Sequence, residues 1–290
     1  MSRGRNFNVY LLDAEPNGVA KYSAKNLTIL AYKIPRTKLD SCKNISALKQ
    51  TGVYFLFGTD DETGKRVVYV GQAVVRQNGE GLLNRLQEHR HNPDKDYWTQ
   101  AVCFTTTDNS FGPTEVSYLE HRFCAMAKDA NQYIVKNGNT PNIGHVSEET
   151  VCELEEFIQY ATLLMGTLIG HDVFVPLVPT TVSTNQNESD APVALYCTRK
   201  ETKATGYQTA DGFVVLKGAT IAKELTNSCP DSIKALREKH KAIISPEFIT
   251  LDDIPFSSPS SAAGFVCGGS YSGNDSWKTD AGISLKDLEK

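Results

Sequence analysis

The sequence predicts an α+β protein: a module with a three-stranded antiparallel sheet flanked by helices, preceded by a small β element and followed by a separate small α+β domain. Two β-branched and aromatic runs, at 52–57 and 67–70, lie on either side of a turn. Helical and strand patterns then alternate along the chain. A stretch poor in large apolar residues, at 176–193, separates this module from a second group of short apolar runs.

Composition and charge divide the chain into four segments. Residues 1–50 carry nine basic and three acidic side chains, whereas the rest of the chain carries 21 basic and 31 acidic ones. We predict a basic, β-rich N-terminal segment at 1–50, the module with its C-terminal helix at 51–175, a linker at 176–193 and a C-terminal domain at 194–290. The basic end directly precedes the two runs, where an anionic polymer would approach, although such an excess is equally typical of a solvated surface.

The N-terminal segment is predicted to form a small β element. Apolar and polar residues alternate at 7–12 and 27–32, as in half-buried strands, and Glu15-Pro16-Asn17-Gly18 breaks the pattern between them. The next two runs are predicted to pair as an antiparallel hairpin, because the residues at 58–66 supply the chemistry of a turn.

Three helices and a third strand are predicted after the hairpin. Residues 81–91 have the pattern of a helix with three leucines on one side, and 102–105 have that of a strand. A second helix is predicted to begin with Thr114 as its cap, ahead of Glu115, and a third to begin after the capping residue Ser147. The module therefore has the order β-β-α-β-α before its last helix.

The C-terminal domain is predicted to combine short strands with two helices. The strands are expected at 194–197, 204–209 and 212–216, a helix at 231–241, and a turn that enters a helix of small residues at 257–267.

Several classes of protein are excluded by composition. The seven cysteines are scattered, with no Cys-x-x-Cys pair and no Cys/His cluster at the spacing of zinc ligands, so reduced thiols are expected. The longest apolar stretch, Phe157 to Gly170, is too short and too interrupted by polar residues to span a bilayer, and no positively charged apolar leader is visible. We expect a cytoplasmic protein without a membrane partner.

Candidate residues for phosphodiester chemistry follow the hairpin. Hydrolysis requires a positioned water, a group that accepts its proton, and compensation for negative charge on the phosphoryl oxygens. Arg85 and His89 are four residues apart on one predicted helix and share a face, with Glu88 expected to turn away from them. A guanidinium binds two phosphate oxygens at once and stays charged, although an Arg and a His at this spacing are also typical of a solvated helix face.

Carboxylates and phenols complete the candidate set. Glu120 lies between apolar positions of the second helix and can hold Mg²⁺ together with a substrate phosphate; Glu115 is the competing candidate, and either acid can simply be a surface residue. Tyr54 and Tyr69 fall on the two hairpin strands, where tyrosines usually pack across strands. A phenol has a pKa of about 10, so catalysis would require a metal or an arginine that favours the phenolate.

Five short motifs occur in a fixed order. They are Gly52-Val53-Tyr54, Tyr69-Val70-Gly71, Gly81-Leu82-Leu83-Asn84-Arg85-Leu86-Gln87-Glu88-His89, Tyr118-Leu119-Glu120 and Asn137-Gly138-Asn139-Thr140-Pro141-Asn142. Together they resemble the GIY-YIG nuclease superfamily, with valine in place of isoleucine in both tripeptides. The resemblance spans Thr51 to Asn142 and implies the α/β module with a three-stranded antiparallel sheet.

The resemblance also implies roles for individual residues. A single divalent metal, Mg²⁺ or Mn²⁺, would be held by Glu120. Tyr69, helped by Tyr54, would position or deprotonate the attacking water, and Arg85 would stabilise the transition state.

Two further positions are carried over from the family. His89 matches a histidine that occurs in some branches. Asn139 is our choice for the polar residue after the second helix, with Asn137 and Asn142 as open alternatives. Gly71 suits a position where glycine lets the substrate backbone approach, although a glycine that merely ends a strand fits equally well.

The function expected from this resemblance is that of a metal-dependent endonuclease acting on DNA. The alternative is a catalytically inactive protein that binds nucleic acid or a partner on the same scaffold, and RNA is a further substrate class that the sequence leaves open. A dead copy would more often have lost Arg85 or Glu120, so the sequence favours the enzyme.

The C-terminal part has a resemblance of its own. It resembles an uncharacterised domain that often follows GIY-YIG modules in bacterial proteins, and its last third is also similar to a small module beside restriction-modification methylases. The resemblance rests on Gly212 to Ala219, Ser228-Cys229-Pro230, Ser258 to Ala263, Gly268-Gly269-Ser270 and Trp277. A role in DNA contact, for instance by stacking of Trp277 on a base, is one hypothesis for this domain; a core position for Trp277 is the other.

Overall fold

The computed structural model describes residues 4–76, 79–138, 143, 146–176, 193–209 and 212–288. The chain divides into two units, Met1–Val175 and Pro176–Lys290. The predicted linker, 176–193, lies outside the described residues except for its two ends.

The first unit is built on one sheet of seven strands. They are β1 (Phe7–Leu11), β2 (Ala20–Ala24), β3 (Ile29–Pro35), β4 (Gly52–Thr59), β5 (Arg66–Ala73), β6 (Trp98–Thr106) and β7 (Ile134–Val135). Their spatial order is β1-β2-β3-β6-β4-β5-β7, and every pair is antiparallel except β5 with β7. The α+β class is therefore confirmed.

The sheet is larger than predicted, because the N-terminal strands belong to it. Strand β3 pairs with β6 along its whole length, from Ile29 opposite Thr106 to Pro35 opposite Gln100. A sheet that ended at β6 would leave one edge of that buried strand without hydrogen-bond partners, which is costly. The expectation of three strands with a separate small β element was therefore wrong in extent.

The predicted hairpin is present and sets the register of the two tyrosines. In the β4/β5 pair, Tyr54 lies opposite Gly71 and Leu56 lies opposite Tyr69. Because side chains alternate between the faces of a strand, Tyr54 and Tyr69 point to the same face of the sheet. Gly71 has no side chain, and the ring of Tyr54 occupies the space where its Cβ would be. The expectation that Gly71 leaves room for substrate was therefore wrong.

Three helices cover the two faces of this sheet. They are α1 (Leu82–Arg90), α2 (Pro113–Ala130) and α3 (Glu148–Leu164), with short 3₁₀ segments at Arg36–Cys42, Ser46–Lys49 and Pro93–Lys95 and a π-helical turn at Met165–Ile169. Leucines of α1 pack on the face that carries Tyr54. Apolar residues of α2 and α3 pack on the opposite face, against Phe55 and Phe104.

The helix starts differ in how they are capped. Ser147 caps α3 by accepting a hydrogen bond from the backbone of Thr150, as predicted. Helix α2 begins at Pro113 and not with Thr114 as its cap, because the carboxylate of Glu115 reaches back to the backbone N–H of Gly112. Proline at the first helical position favours this start, since the missing N–H would have no partner there.

The second unit has a four-stranded antiparallel sheet in the order β11-β10-β9-β8. Its strands are β8 (Leu195–Arg199), β9 (Thr202–Thr209), β10 (Gly212–Val215) and β11 (Ile254–Phe256), and its helices are α4 (Asp231–Lys239), α5 (Pro259–Cys267), α6 (Gly273–Ser276) and α7 (Leu285–Leu288), with a 3₁₀ turn at Lys241–Ile243. Trp277 is fully buried, and its indole N–H donates to the carbonyl of Pro259. It is therefore a core residue, and the hypothesis that it stacks on a base was wrong.

No helix within the described ranges is both long enough and apolar enough to cross a membrane.

Replacing Gly71 by alanine tests how tightly Tyr54 is held. The new Cβ would collide with the ring and hydroxyl of Tyr54, so we expect the free energy of unfolding to fall by about 1–3 kcal/mol, the usual cost of overpacking. Urea unfolding measures this. Gly166 is the matched control because a Cβ there meets no neighbouring atom; Gly166→Ala is expected to be neutral or stabilising by up to about 1 kcal/mol. Equal stability of wild type and Gly71→Ala would show that Tyr54 is free to move.

Candidate active site

A buried hydrogen bond between Tyr54 and His89 connects the sheet to α1. The Tyr54 hydroxyl lies 2.6 Å from Nε2 of His89, and the two residues are 1% and 4% exposed. Burial raises the pKa of Tyr54 well above its ordinary value and lowers the pKa of His89 to about 3. At neutral pH the phenol is therefore protonated and the imidazole is neutral, and the imidazole tautomer determines which of the two groups donates.

Tyr69 is packed against this pair and under a cation. Its ring centroid lies 6.3 Å from that of Tyr54 and 5.6 Å from that of His89. The ammonium group of Lys95 stands 3.2 Å from the centroid of the Tyr69 ring, in cation–π geometry. Burial, and then the charge of Glu120, raise the pKa of Tyr69, while Arg85 acts in the opposite direction. The arginine that phenolate formation requires is present, but burial outweighs it in the resting site.

Arg85 lies beside the phenols and is held by an acid of its own helix. Nη1 of Arg85 is 2.6 Å from Oε2 of Glu88, and Glu88 also binds Arg76 at 2.8 Å. The expectation that Glu88 turns away from Arg85 was wrong, because residues three apart on a helix are neighbours just as residues four apart are. The charge of Arg85 also acts on Tyr54, where it lowers the pKa against the larger effect of burial.

Glu120 is the carboxylate that α2 contributes. It is 9% exposed and lies close enough to Gln72 of β5 for that side chain to lower its pKa. Burial raises the pKa of Glu120, whereas Gln72, Arg85 and Lys95 act to lower it. The competing candidate, Glu115, is used for capping α2. Glu120 is thus the acid in electrostatic contact with the arginine and the tyrosines.

A divalent cation fits this site only as a partner of one protein carboxylate. Among the described residues there is no group of three or more His, Cys, Asp or Glu side chains placed to hold an ion. Arg85 and Lys95 put positive charge beside the carboxylate of Glu120. An ion held by Glu120 therefore needs phosphate oxygens and water to complete its shell, which is how Mg²⁺ commonly binds.

An open cavity of about 420 Å³ lies beside Arg85. Its remaining walls are Gln72, Ala73, Val74, Val75, Arg76, Glu80 and Gly81. The cavity therefore borders both the guanidinium and Gln72, the side chain that lowers the pKa of Glu120.

Three asparagines were candidates for the polar residue after the second helix, and the structure describes only one of them. Asn139 and Asn142 lie outside the described residues. The side-chain amide of Asn137 is bound to the backbone of Val70, accepting from its N–H at 3.0 Å and donating to its carbonyl at 2.7 Å. Asn137 thus fastens the segment after β7 to the edge of β5, and we assign it a structural role.

The sequence analysis missed one residue of this cluster, Lys95, and gave no role to Gln72, which suits the family pattern together with Gly71. Lys95 ends the 3₁₀ turn Pro93–Lys95, which Asn92 caps by accepting from the backbone of Asp94. The Asn-Pro-Asp run signals a turn, but nothing in it signals that the next side chain returns to the tyrosines. Gln72 directly follows Gly71, and its position on the strand was the available clue.

The neutral state of His89 gives a pH dependence with a definite sign. The pKa of an unfolded histidine is about 6.5, against about 3 for folded His89. The unfolded chain therefore binds more protons between these values, and the free energy of unfolding decreases as pH falls below about 6.5, by up to about 1.4 kcal/mol per pH unit for each such group. His171, whose pKa burial lowers to about 4, adds a second contribution.

Substituting His89 by glutamine removes one of these two groups. We expect the slope of stability against pH, measured by urea unfolding from pH 7 to pH 5, to drop by roughly one proton in His89→Gln and similarly in His171→Gln. An unchanged slope in His89→Gln would mean that His89 titrates freely in the folded protein.

Comparison with known proteins found one family model that matches the second unit. A family model described as "Domain of unknown function (DUF4357)" matches residues 195–289. No curated protein and no solved structure matches the chain. The expected C-terminal domain of uncharacterised function is confirmed, while the nuclease resemblance of residues 51–142 stays a resemblance of motifs.

Proposed function

We propose that the first unit is a divalent-metal-dependent endonuclease that hydrolyses phosphodiester bonds in DNA. One observation carries the proposal: Tyr54, Tyr69, Arg85 and Glu120 come from β4, β5, α1 and α2, and the charges of Arg85 and Glu120 act on both phenols. Burial shifts the pKa values of both phenols and of Glu120, and clusters of shifted ionisable groups are typical of active sites.

Arg85 binds the scissile phosphate in this proposal. Its ion pair with Glu88 holds the guanidinium toward the phenols before substrate arrives. Its side chain borders the open cavity, so a phosphate can reach it from that side. A fixed guanidinium stabilises the additional negative charge that develops on phosphoryl oxygens in the transition state.

The tyrosines position the water in this proposal. Tyr69 is the more exposed phenol, so its hydroxyl orients the water, and the Tyr54 ring lies beside it, with the two ring centroids 6.3 Å apart. His89, whose pKa burial lowers to about 3, holds Tyr54 by a hydrogen bond and does not take up the proton of the water. A divalent ion bound by Glu120 would supply Lewis-acid polarisation of the phosphoryl group.

Lys95 adds a second positive charge to the site. Burial, and then the nearby charge of Arg85, lower the pKa of Lys95 to about 8. Its ammonium group lies over the Tyr69 ring. In the charged form Lys95 stabilises negative charge on Tyr69 or on the phosphate, and near pH 8 this contribution begins to disappear.

Plasmid nicking tests the proposed activity. We expect the purified full chain to nick supercoiled DNA with Mg²⁺ or Mn²⁺, and we expect Arg85→Ala and Glu120→Gln to lose this activity. Tyr69→Phe should cost about two to four decades in rate, because the hydroxyl takes part in proton transfer or water positioning. Glu115→Gln is the matched control: it removes an acid from the same helix and leaves an amide that can still cap the helix, so activity should persist.

Two other results would contradict the proposal. Binding of DNA with no cleavage in either metal would favour the alternative, an inactive nucleic-acid-binding protein. Cleavage that survives in both Arg85→Ala and Glu120→Gln would show that the activity arises elsewhere or from a contaminant, and an unchanged rate in Tyr69→Phe would remove that hydroxyl from the mechanism.

The pH profile of cleavage tests Lys95. Because kcat/KM reports the ionisation of the free enzyme, we expect the wild-type value to decline above about pH 8, where Lys95 loses its proton. Lys95→Arg should keep kcat/KM constant to higher pH, since a guanidinium stays charged. Lys95→Met should lower it about a hundredfold at pH 7, like the loss of one transition-state donor. The proposed role fails if Lys95→Arg declines at the same pH as the wild type.

A further inference from the structure

Two thiols lie in contact in the second unit, which is not the unit that contains the proposed active site. Sγ of Cys197, on β8, is 3.6 Å from Sγ of Cys267, the last residue of α5. The two residues are 70 positions apart in the chain. They are 2% and 7% exposed, and no disulfide joins them in the reduced structure. A disulfide needs an S–S separation of about 2.05 Å, so closing the bond requires an approach of roughly 1.5 Å.

Each thiol of this pair borders a cavity. Cys267 lines an open cavity of about 440 Å³, which also contains Lys200 and Lys223 in its wall. Cys197 lines a second cavity of about 950 Å³. Small oxidants can therefore reach the immediate surroundings of the pair, although both sulfur atoms lie in the core.

The surroundings of Cys267 favour a thiolate. The hydrogen bond with Cys197 lowers the pKa of Cys267, and Thr202, Arg199 and Arg237 act in the same direction. Arg237 is fixed at the end of α5, where it donates hydrogen bonds to the carbonyls of Phe265, Val266 and Ala222. The same hydrogen bond raises the pKa of Cys197.

The other buried thiols with shifted ionisation behave in the opposite way. Burial raises the pKa of Cys42, Cys103 and Cys124, so these thiols stay protonated and inert. Cys267 differs from them in having both a thiol donor and nearby guanidinium groups.

We propose that Cys197 and Cys267 form a reversible disulfide when the protein meets a peroxide. The thiolate of Cys267 attacks one peroxide oxygen; an S–O bond forms, the O–O bond breaks, and hydroxide leaves and is protonated to water. Cys197 then attacks the sulfenic sulfur of Cys267, its proton goes to the departing hydroxide, and an S–S bond replaces the S–O bond. In total, two thiols lose two electrons and two protons, and one hydrogen peroxide is reduced to two waters.

The disulfide between Cys197 and Cys267 would constrain residues in the walls of both cavities. Arg199 follows Cys197 by two residues and Tyr271 follows Cys267 by four, and the Arg199 guanidinium lies 4.4 Å from the centroid of the Tyr271 ring. Arg199 and Tyr271 line both cavities. A disulfide between Cys197 and Cys267 would therefore join the two segments that carry this stacked pair, so that oxidation and occupancy of the cavities are coupled.

Mass spectrometry of the full chain tests the proposal. Exposed Cys152 is first replaced by serine to suppress disulfides between molecules. On treatment with a small excess of hydrogen peroxide, we expect the intact mass to fall by two hydrogens, a cross-linked peptide to contain Cys197 and Cys267, and dithiothreitol to reverse both changes. Cys229→Ala, a buried cysteine of the same unit, is the matched control and should form the same bond.

Single variants separate the roles of the two sulfurs. In Cys197→Ala, Cys267 should gain oxygen as sulfenic or sulfinic acid without a cross-link, and in Cys267→Ala, Cys197 should stay reduced. The peptide map of the chain that keeps both Cys197 and Cys267 tests the proposal even where neither single variant folds. Three results with the peroxide-treated protein would overturn the proposal. Both thiols could stay reduced, either one could be linked to a different cysteine, or Cys267 could accumulate sulfinic acid while Cys197 stays reduced.

Discussion

The candidate site depends on one buried interaction, the hydrogen bond between the Tyr54 hydroxyl and His89. The hairpin puts Tyr54 over Gly71, and the missing side chain of Gly71 makes room for the ring. Helix α1 brings His89 to the same place, and on that helix Arg85 is one turn away. An unpaired phenol or imidazole at this depth would cost free energy, so each group stabilises the other's burial. The position of Arg85 follows from this contact.

The fold was predictable where the pattern of the sequence is local, and less so where it depends on distant pairing. The β4/β5 hairpin and the Ser147 cap follow from nearby residues, and both are present. The size of the sheet does not, because pairing of β3 with β6 joins segments about seventy residues apart. The predicted cap of α2 was wrong by two residues, Thr114 in place of Gly112, since Pro113 and the side chain of Glu115 together determine the start. Strand β11 was missed because it is only three residues long and contains Pro255, and a proline in the sequence argues against a strand.

The candidate site shows the same division. Motif order singled out Tyr54, Tyr69, Arg85 and Glu120, and the structure brings these into mutual electrostatic contact. The order of the motifs did not indicate Lys95, because the sequence around it is that of an ordinary polar turn. Nor did the motifs show that Glu88 pairs with Arg85 or that burial keeps the phenols protonated, because both depend on packing between elements.

The charges of the site favour the joint arrival of an anion and a cation. Burial lowers the pKa of Lys95 and raises that of Glu120, so each charged form is disfavoured when the site is empty. A phosphate beside Lys95 would favour its ammonium form, and a divalent ion on Glu120 would favour the carboxylate. The phosphate also offsets the repulsion between the ion and the two cations, Arg85 and Lys95. By linkage each ligand then strengthens the binding of the other by the same factor. A site with a single protein carboxylate can in this way hold a metal tightly with its substrate and weakly without it, provided that the substrate carries the remaining negative charge.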